Sequence, residues 1–525
     1  MSVTRRSLLA AGGGAGLLPE HAFAQGQPRR GGTFTSIMNP EPPILHPGLN
    51  NQMPTLIIAG KMFQGLLTYT KRLEPLPVLA KSWQVSPDGR EYLFTLQDNV
   101  KFHDGRPMTP DDVLFSITKW APEVSPRARS VLALIKESDS PAPNQVRFVL
   151  EKPFEPFLLI FDVTTLPIVP KHAFEGQDFR RAPAAQSPIG TGPFKFAEWQ
   201  RGNFARFERF ADYWRPGMPF FDQLIYRVIP DSQSRRLALE TGQVMLTQAT
   251  DIEPFDIPQM GARPNLAVDP TGWEYFSPLG WIELNHRVQP LGDVRVRRAM
   301  SMALNREFLA SRIHFGTAKP ATGPLSASTR FYDANIKLPG FDVRGANALL
   351  DAAGYRPNAQ GIRFSLKHLV PPYGEIYQRQ SEFYRQAMRA IGIEFVLETT
   401  DAGGWAQRVQ NWEYETTNNL VYQYGDPTLG VERTYVTSNI LKVLFANTGG
   451  YSNPKVDELF LRGRDAASST ERGAIFNELQ KLLVEEVPQI WTIEANFPTV
   501  YDKRLQNVIT TGTGVHRSFD DLQIA

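Results

Sequence analysis

Leu79-Ala80-Lys81-Ser82-Trp83-Gln84-Val85-Ser86-Pro87-Asp88-Gly89-Arg90-Glu91-Tyr92-Leu93-Phe94-Thr95-Leu96, followed by Phe102-His103-Asp104-Gly105-Arg106-Pro107-Met108-Thr109-Pro110-Asp111-Asp112-Val113, is the most informative part of this chain. Apolar residues alternate on both sides of Pro87-Asp88-Gly89, which predicts a hairpin with Tyr92, Phe94 and Leu96 on one face of its second strand. Thr109-Pro110-Asp111-Asp112 predicts a helix start. Thr109 offers a cap, Pro110 lacks the N–H that would go unpaired, and the two aspartates suit the positive end of the helix dipole. That helix is expected to run to about Trp120, and His103-Asp104-Gly105 reads as a turn rather than a metal site.

Towards the N-terminus, Gly32 to Ile37 predicts a first strand. Residues 38–48 carry four prolines and read as a loop, and residues 56–67 resume a helical pattern. Further back, Arg5-Arg6, a short weakly apolar run over 7–18 and Ala22-Phe23-Ala24 read as a cleavable export signal over residues 1–24. Thr4-Arg5-Arg6-Ser7-Leu8-Leu9 resembles a twin-arginine signal. Towards the C-terminus, strands are expected over 144–150, 193–210, 281–285, 364–369, 393–398 and 489–510. Helices are expected over 232–241, after Asp293, and over 344–353, 376–391 and most of 454–487. Strands alternating with helices in the second half predict an α/β lobe.

The chain has 525 residues, more than one compact core accommodates, which predicts two or three domains. A net charge of +2 implies no nucleic-acid or anionic-membrane partner. The chain has no cysteine, which excludes disulfides, thiolate metal sites, a cysteine nucleophile and a lipid anchor on a cleaved N-terminus. No later segment approaches the roughly 18 apolar residues of a membrane span. Catalytic signatures fail as well. Ser116-x-x-Lys119 and Ser452-x-x-Lys455 lack their companion motifs, and the eight histidines form no His-Glu-x-x-His pair. No metal or cofactor is expected, and Gly190-Thr191-Gly192-Pro193 reads as a tight strand-entry turn rather than a phosphate cradle.

The opening stretch, together with Gly190-Thr191-Gly192-Pro193-Phe194, Asn285, Asp293-Val294-Arg295-Val296-Arg297-Arg298-Ala299, Ile391-Gly392-Ile393 and Tyr451-Ser452-Asn453-Pro454-Lys455-Val456-Asp457, resembles the extracellular solute-binding family that includes dipeptide, oligopeptide, nickel and some oligosaccharide binders. The resemblance covers roughly residues 32–510. It implies a type II periplasmic binding protein of the large cluster, α/β and two-lobed, with an extra inserted subdomain and a ligand cleft between the lobes. It places lobe I at 31–63, 186–272 and 488–525, the inserted subdomain at 64–185 and lobe II at 273–487. The implied protein is a soluble periplasmic monomer, not an enzyme. It hands a peptide or peptide-like solute to an ABC permease in the inner membrane; an oligosaccharide binder is the alternative reading and an exported hydrolase the remotest.

In dipeptide binders of that family an aspartate stands three residues before an Asp-Pro or Glu-Pro pair and holds the free amine. Here the pair is Asp426-Pro427 and the anchor position holds Gln423. An arginine two residues before a tyrosine holds the carboxylate; the tyrosine matches Tyr373 and the arginine position holds Pro371. The resemblance therefore implies a ligand larger or less charged than a free dipeptide, such as a longer or modified peptide, or a saccharide. Its expected contacts are Tyr373, Gln423, Tyr424, Asp426, Trp405 and Trp281, with Asn39 and Glu41 from the loop after the first strand. Trp273, Trp412 and Tyr422 are further aromatics near the same segments.

Overall fold

The computed structural model describes residues 30–466 and 468–525, so the export signal read over residues 1–24 lies outside the described residues. In chain order, β1 (Thr33–Ile37) opens lobe I, and the chain then leaves for the inserted subdomain. There β2 (Ala80–Val85), β3 (Glu91–Leu96), β4 (Ile135–Asp139) and β5 (Gln145–Leu150) form an antiparallel sheet in the order β2-β3-β5-β4. The expected hairpin is present, with Trp83 opposite Phe94 and Val85 opposite Tyr92. Tyr92, Phe94 and Leu96 are all buried. Helix α1 (Pro110–Phe115) starts where the sequence places it, and a π-helical turn carries the coil on to Trp120. The chain returns to lobe I as β6 (Phe194–Gln200), β7 (Phe204–Arg209) and β8 (Gln223–Arg227), with sheet order β1-β8-β7-β6 and β1 parallel to β8. Aromatic and aliphatic side chains of the inserted subdomain and of lobe I form one continuous core, from Phe34 through Phe94, Phe148 and Phe161 to Phe519.

One stretch departs from expectation. The helix Met53–Ala59 ends eight residues short of the predicted 56–67 run. Gly60 sits so close to the C-terminal segment that a Cβ there would lie 2.0 Å from the His516 carbonyl oxygen. Lys61 is wholly buried and donates to the carbonyls of Val515 and Arg517, each at 2.6 Å, with its ammonium 3.8 Å from the centre of the Phe519 ring. Docking of the C-terminal segment overrides local helix propensity here.

After β9 (Leu266–Asp269) the chain crosses into lobe II. Its elements are β10 (Leu279–Leu284), α2 (Val294–Met302), β11 (Ala318–Pro320), β12 (Phe364–Val370), α3 (Glu375–Arg389), β13 (Ile393–Thr399), α4 (Ala402–Gln410), β14 (Thr416–Val421), α5 (Pro454–Asp465), α6 (Ser469–Glu486) and β15 (Ile490–Ala495). The sheet order is β11-β15-β10-β14-β12-β13, with β12, β13 and β14 mutually parallel in direction. One face packs on α2 and α3 through Val296, Met300, Tyr384 and Met388. The other packs on α5 and α6 through Val456, Phe460, Ile475 and Leu483. The expected boundary at residue 488 is corrected: β15 hydrogen-bonds to β10 and β11 in lobe II, because Ile490 and Trp491 fill the two cores on opposite faces of that sheet. Only then does β16 (Thr499–Asp502) return to pair with β9 in lobe I. The two crossings run side by side, with Trp273 Nε1 donating to the Phe497 carbonyl at 2.8 Å and Asn496 Nδ2 to that of Pro270 at 2.6 Å.

Candidate functional site

The C-terminal ends of β12, β13 and β14 open together on lobe II, the edge at which parallel α/β sheets present binding loops. The segment after β12 carries Tyr373, a residue 48% exposed, and turns into α3 at Gly374, where φ is +111°. Tyr377, one helical turn later, comes within 6.4 Å of the Tyr373 ring. Trp405, on α4 after β13, lies edge-on to Tyr373 at 5.5 Å. Trp405 itself is buried and donates its Nε1 to Thr417 Oγ1 at 3.0 Å, so it backs the site rather than facing it.

After β14 the strand ends, and the chain turns at Tyr424 and Gly425, where φ is +52° and +72°. Tyr422 and Tyr424 share one face with ring centres 6.2 Å apart; Tyr422 stacks on Trp273 and Tyr424 meets Tyr275 edge-on. Gln423 points the other way, and its expected contact with solute is corrected. Its Oε1 accepts from Ser326 N at 2.9 Å and Thr329 Oγ1 at 2.5 Å, while its Nε2 donates to the Pro324 carbonyl at 2.8 Å. Asp426 is corrected likewise. It is fully buried and takes Arg472 bidentately at 2.8 and 2.9 Å.

The remaining expected contacts are dispersed. Trp281 lies in the lobe II core, with its Nε1 on Glu283. Glu41 accepts from Trp199 Nε1 at 2.9 Å and Gly202 N at 3.0 Å, which spends both carboxylate oxygens on the β6–β7 hairpin. Asn39 is half-buried on the lobe I loop after β1. Tyr373, Tyr424 and Trp405 are therefore gathered in one place, joined by Tyr377 and Tyr422. Tyr377 escaped the sequence reading; its signal is the four-residue spacing from Tyr373.

The surrounding protein removes water from these phenols and pushes Tyr377 up to about 12. Tyr373 and Tyr422 are raised for the same reason, Tyr422 further by its tyrosine neighbours. All three are neutral hydroxyls at ordinary pH, able to donate and accept. The lobes touch on both sides of this aromatic group. On one flank Phe255 of lobe I meets Phe315 at 6.1 Å and lies under the Arg379 guanidinium at 4.7 Å. Nearby Glu253 is raised by burial and then by Glu375. On the other flank Glu155 of the inserted subdomain reaches Arg330 and Arg472 of lobe II.

Catalytic geometry is not assembled by these residues. His368 Nε2 lies 3.2 Å from Ser381 Oγ, but both side chains are sealed beneath the lobe II sheet and burial lowers His368 to about 3. Ser116 is buried and bonded to backbone groups of Asp112 and Val169. Among the described residues no cluster of three or more His, Cys, Asp or Glu side chains forms a metal site.

Comparison with known proteins gives a consistent picture. Residues 74–440 match the model for bacterial extracellular solute-binding proteins, family 5 (middle). Protein XP55 of Streptomyces lividans is 30% identical over 443 residues, covering 81% of this chain and 77% of that one. The glutathione-binding protein GsiB of Escherichia coli K12 is 25% identical over 535 residues, covering 100% of this chain and 99% of its own. Among solved structures, the ABC transporter-associated periplasmic binding protein DppA of Helicobacter pylori, in complex with peptide STSA, superposes with a TM-score of 0.80. It is 24% identical, and the match covers 94% of this chain and 98% of that one. The fold is thus that of a two-lobed type II periplasmic binding protein.

Proposed function

The chain belongs to the family 5 bacterial extracellular solute-binding proteins, and from that premise we propose that it captures a peptide-like solute between its lobes and delivers it to the permease of an ABC importer. The observation that carries the reading is the group of four tyrosines, Tyr373, Tyr377, Tyr422 and Tyr424, set at the strand ends of lobe II and flanked on both sides by contacts with lobe I. Ring faces can cover apolar side chains, and neutral hydroxyls can bond amide groups directly or through water. Gln423 and Asp426 are spent inside lobe II, so a solute amine finds no partner in either. This favours a longer or end-modified peptide over a free dipeptide. The names of GsiB and of the DppA complex support the peptide-like class. Among the described residues no helix is long and apolar enough to cross a membrane.

The role we propose is binding rather than turnover, the role of the family; Ser381, the serine beside His368, and Ser116 are both buried. Thermal melting against di- to pentapeptides, glutathione and oligosaccharides tests the reading. A ligand at a hundredfold excess over its Kd should add about 2.7 kcal/mol of stability. Tyr377→Ala should weaken calorimetric binding of the best peptide by about tenfold while leaving the ligand-free melting midpoint within a few degrees. Stabilisation by a sugar and by no peptide, or hydrolysis of any peptide offered, would overturn it.

A further inference from the structure

The flank formed by the inserted subdomain carries an unusual charge arrangement. Arg472 is wholly buried on α6 and is fixed by Gly463 O at 2.9 Å and by both oxygens of Asp426. Arg330 lies beside it, 3.8 Å from the same Asp426. Lobe II alone thus sets two guanidinium groups against one carboxylate, leaving one positive charge facing lobe I. The balancing charge comes from the other lobe. Glu155, on the 3-10 turn Glu155–Ile160, accepts from Arg330 Nη1 and Nη2 at 2.6 Å each and from Arg472 Nη1 at 2.6 Å. Lys152 and Asp465 form a second cross-lobe pair beside it. On the same flank Leu73 packs against Gly425, so closely that a Cβ there would lie 2.6 Å from Leu73 Cδ1.

We propose that Glu155 is a positioning residue for solute retention: its carboxylate bridges Arg330 and Arg472 only when the lobes are together, and so sets the fraction of closed molecules. The inference rests on the clamshell reading above. Opening strips Arg330 of its bidentate partner and exposes the uncompensated charge of lobe II, whereas Arg472 keeps Asp426. Charge-assisted bidentate bonds are the strong class of hydrogen bond, and those here are only partly exposed to screening. The latch lies beside the tyrosines without touching solute, so it acts on how long a solute stays rather than on which solute enters.

The absence of cysteine makes the test direct, because Lys136→Cys and Leu461→Cys supply the only two thiols for spin labels, one on the inserted subdomain and one on lobe II. Pulsed dipolar spectroscopy then reports lobe separation without ligand, at about 0.01 M and about 1 M salt, where screening lengths differ by roughly tenfold. The parent should show a short-distance population that high salt depletes. Glu155→Gln should lower the short-to-long ratio about tenfold and weaken its salt response, the Lys152–Asp465 pair keeping the remainder. Arg330→Gln, at a partly exposed site, should do the same, and the double variant should add nothing further. A short-distance population that is unchanged in Glu155→Gln, or in Arg330→Gln should the first variant not fold, overturns the latch. Adding peptide STSA or glutathione separates the two readings. A peptide that closes parent and variant alike, with ligand-free populations that are also alike, overturns the latch and leaves solute capture standing. A latch effect with no response to either probe preserves the latch and removes peptide capture.

Discussion

At the scale of single residues, Gln423 and Asp426 of lobe II are buried and paired rather than displayed. Gln423 shows how narrow that distinction is. It stands between Tyr422 and Tyr424, just before the left-handed turn at Tyr424 and Gly425, yet its amide goes to Ser326, Thr329 and Pro324 while the two neighbouring rings meet each other. Glu283 is a buried acid of the same kind, held by Trp281 Nε1 and Asn419 Nδ2. Burial is the main cause that raises it from 4.5 to about 7. The native state therefore keeps a proton that the unfolded chain has already released between about pH 4.5 and 7, and stability falls as pH rises through that window. Glu283→Gln removes this proton from the balance. Denaturant titrations between pH 5 and 7 should show a shallower loss of stability in the variant, by up to about 1.4 kcal/mol per pH unit. Equal slopes in parent and variant would mean that Glu283 is ionised in the native protein.

At the scale of elements, the start of α1 has Thr109 as its N-cap, as the sequence suggests, and Asp112 completes a capping box with it. Asp112 reaches back to accept from Thr109 N at 2.8 Å and also from Lys171 N at 2.9 Å, tying the helix to a segment 59 residues away. Asp112→Ala leaves two backbone donors without partners and should cost about 1–3 kcal/mol, read as a lowered unfolding midpoint; Asp112→Asn, which keeps an acceptor, should cost less. A null effect of Asp112→Ala would show that water replaces both bonds. The hairpin and this helix start were readable because their determinants are local: Pro87-Asp88-Gly89 and Thr109-Pro110-Asp111-Asp112 act within a few residues. The helix end at Ala59 was not readable, because His516, Val515 and Arg517 impose it from the far end of the chain. The candidate site divides in the same way. Tyr373 and Tyr424 could be picked out from aromatic type and position. Trp281 and Glu41 could not be rejected, since their partners Glu283, Trp199 and Gly202 reveal themselves only in the fold. The Glu155–Arg472 contact spans 317 residues and has no local signal at all.

At the scale of the whole molecule, lobe I and the inserted subdomain share one core, whereas lobe II has cores of its own on the two faces of its sheet. Calorimetry without ligand should resolve two unfolding transitions, and a bound solute, touching both lobes, should draw them together. A single ligand-free transition, with calorimetric and van't Hoff enthalpies equal, would contradict this division. Lobe II is also one uninterrupted length of chain that enters through β10 and leaves through β15, and these strands are hydrogen-bonded neighbours. Its ends therefore sit side by side at the crossing, where Trp273 meets Phe497. A stretch with adjoining ends can be lifted out and replaced by its counterpart from a relative without rethreading the host. Evolution, or a protein engineer, could in this way refit the grasping surface as a cartridge while the barrel that receives it stays the same.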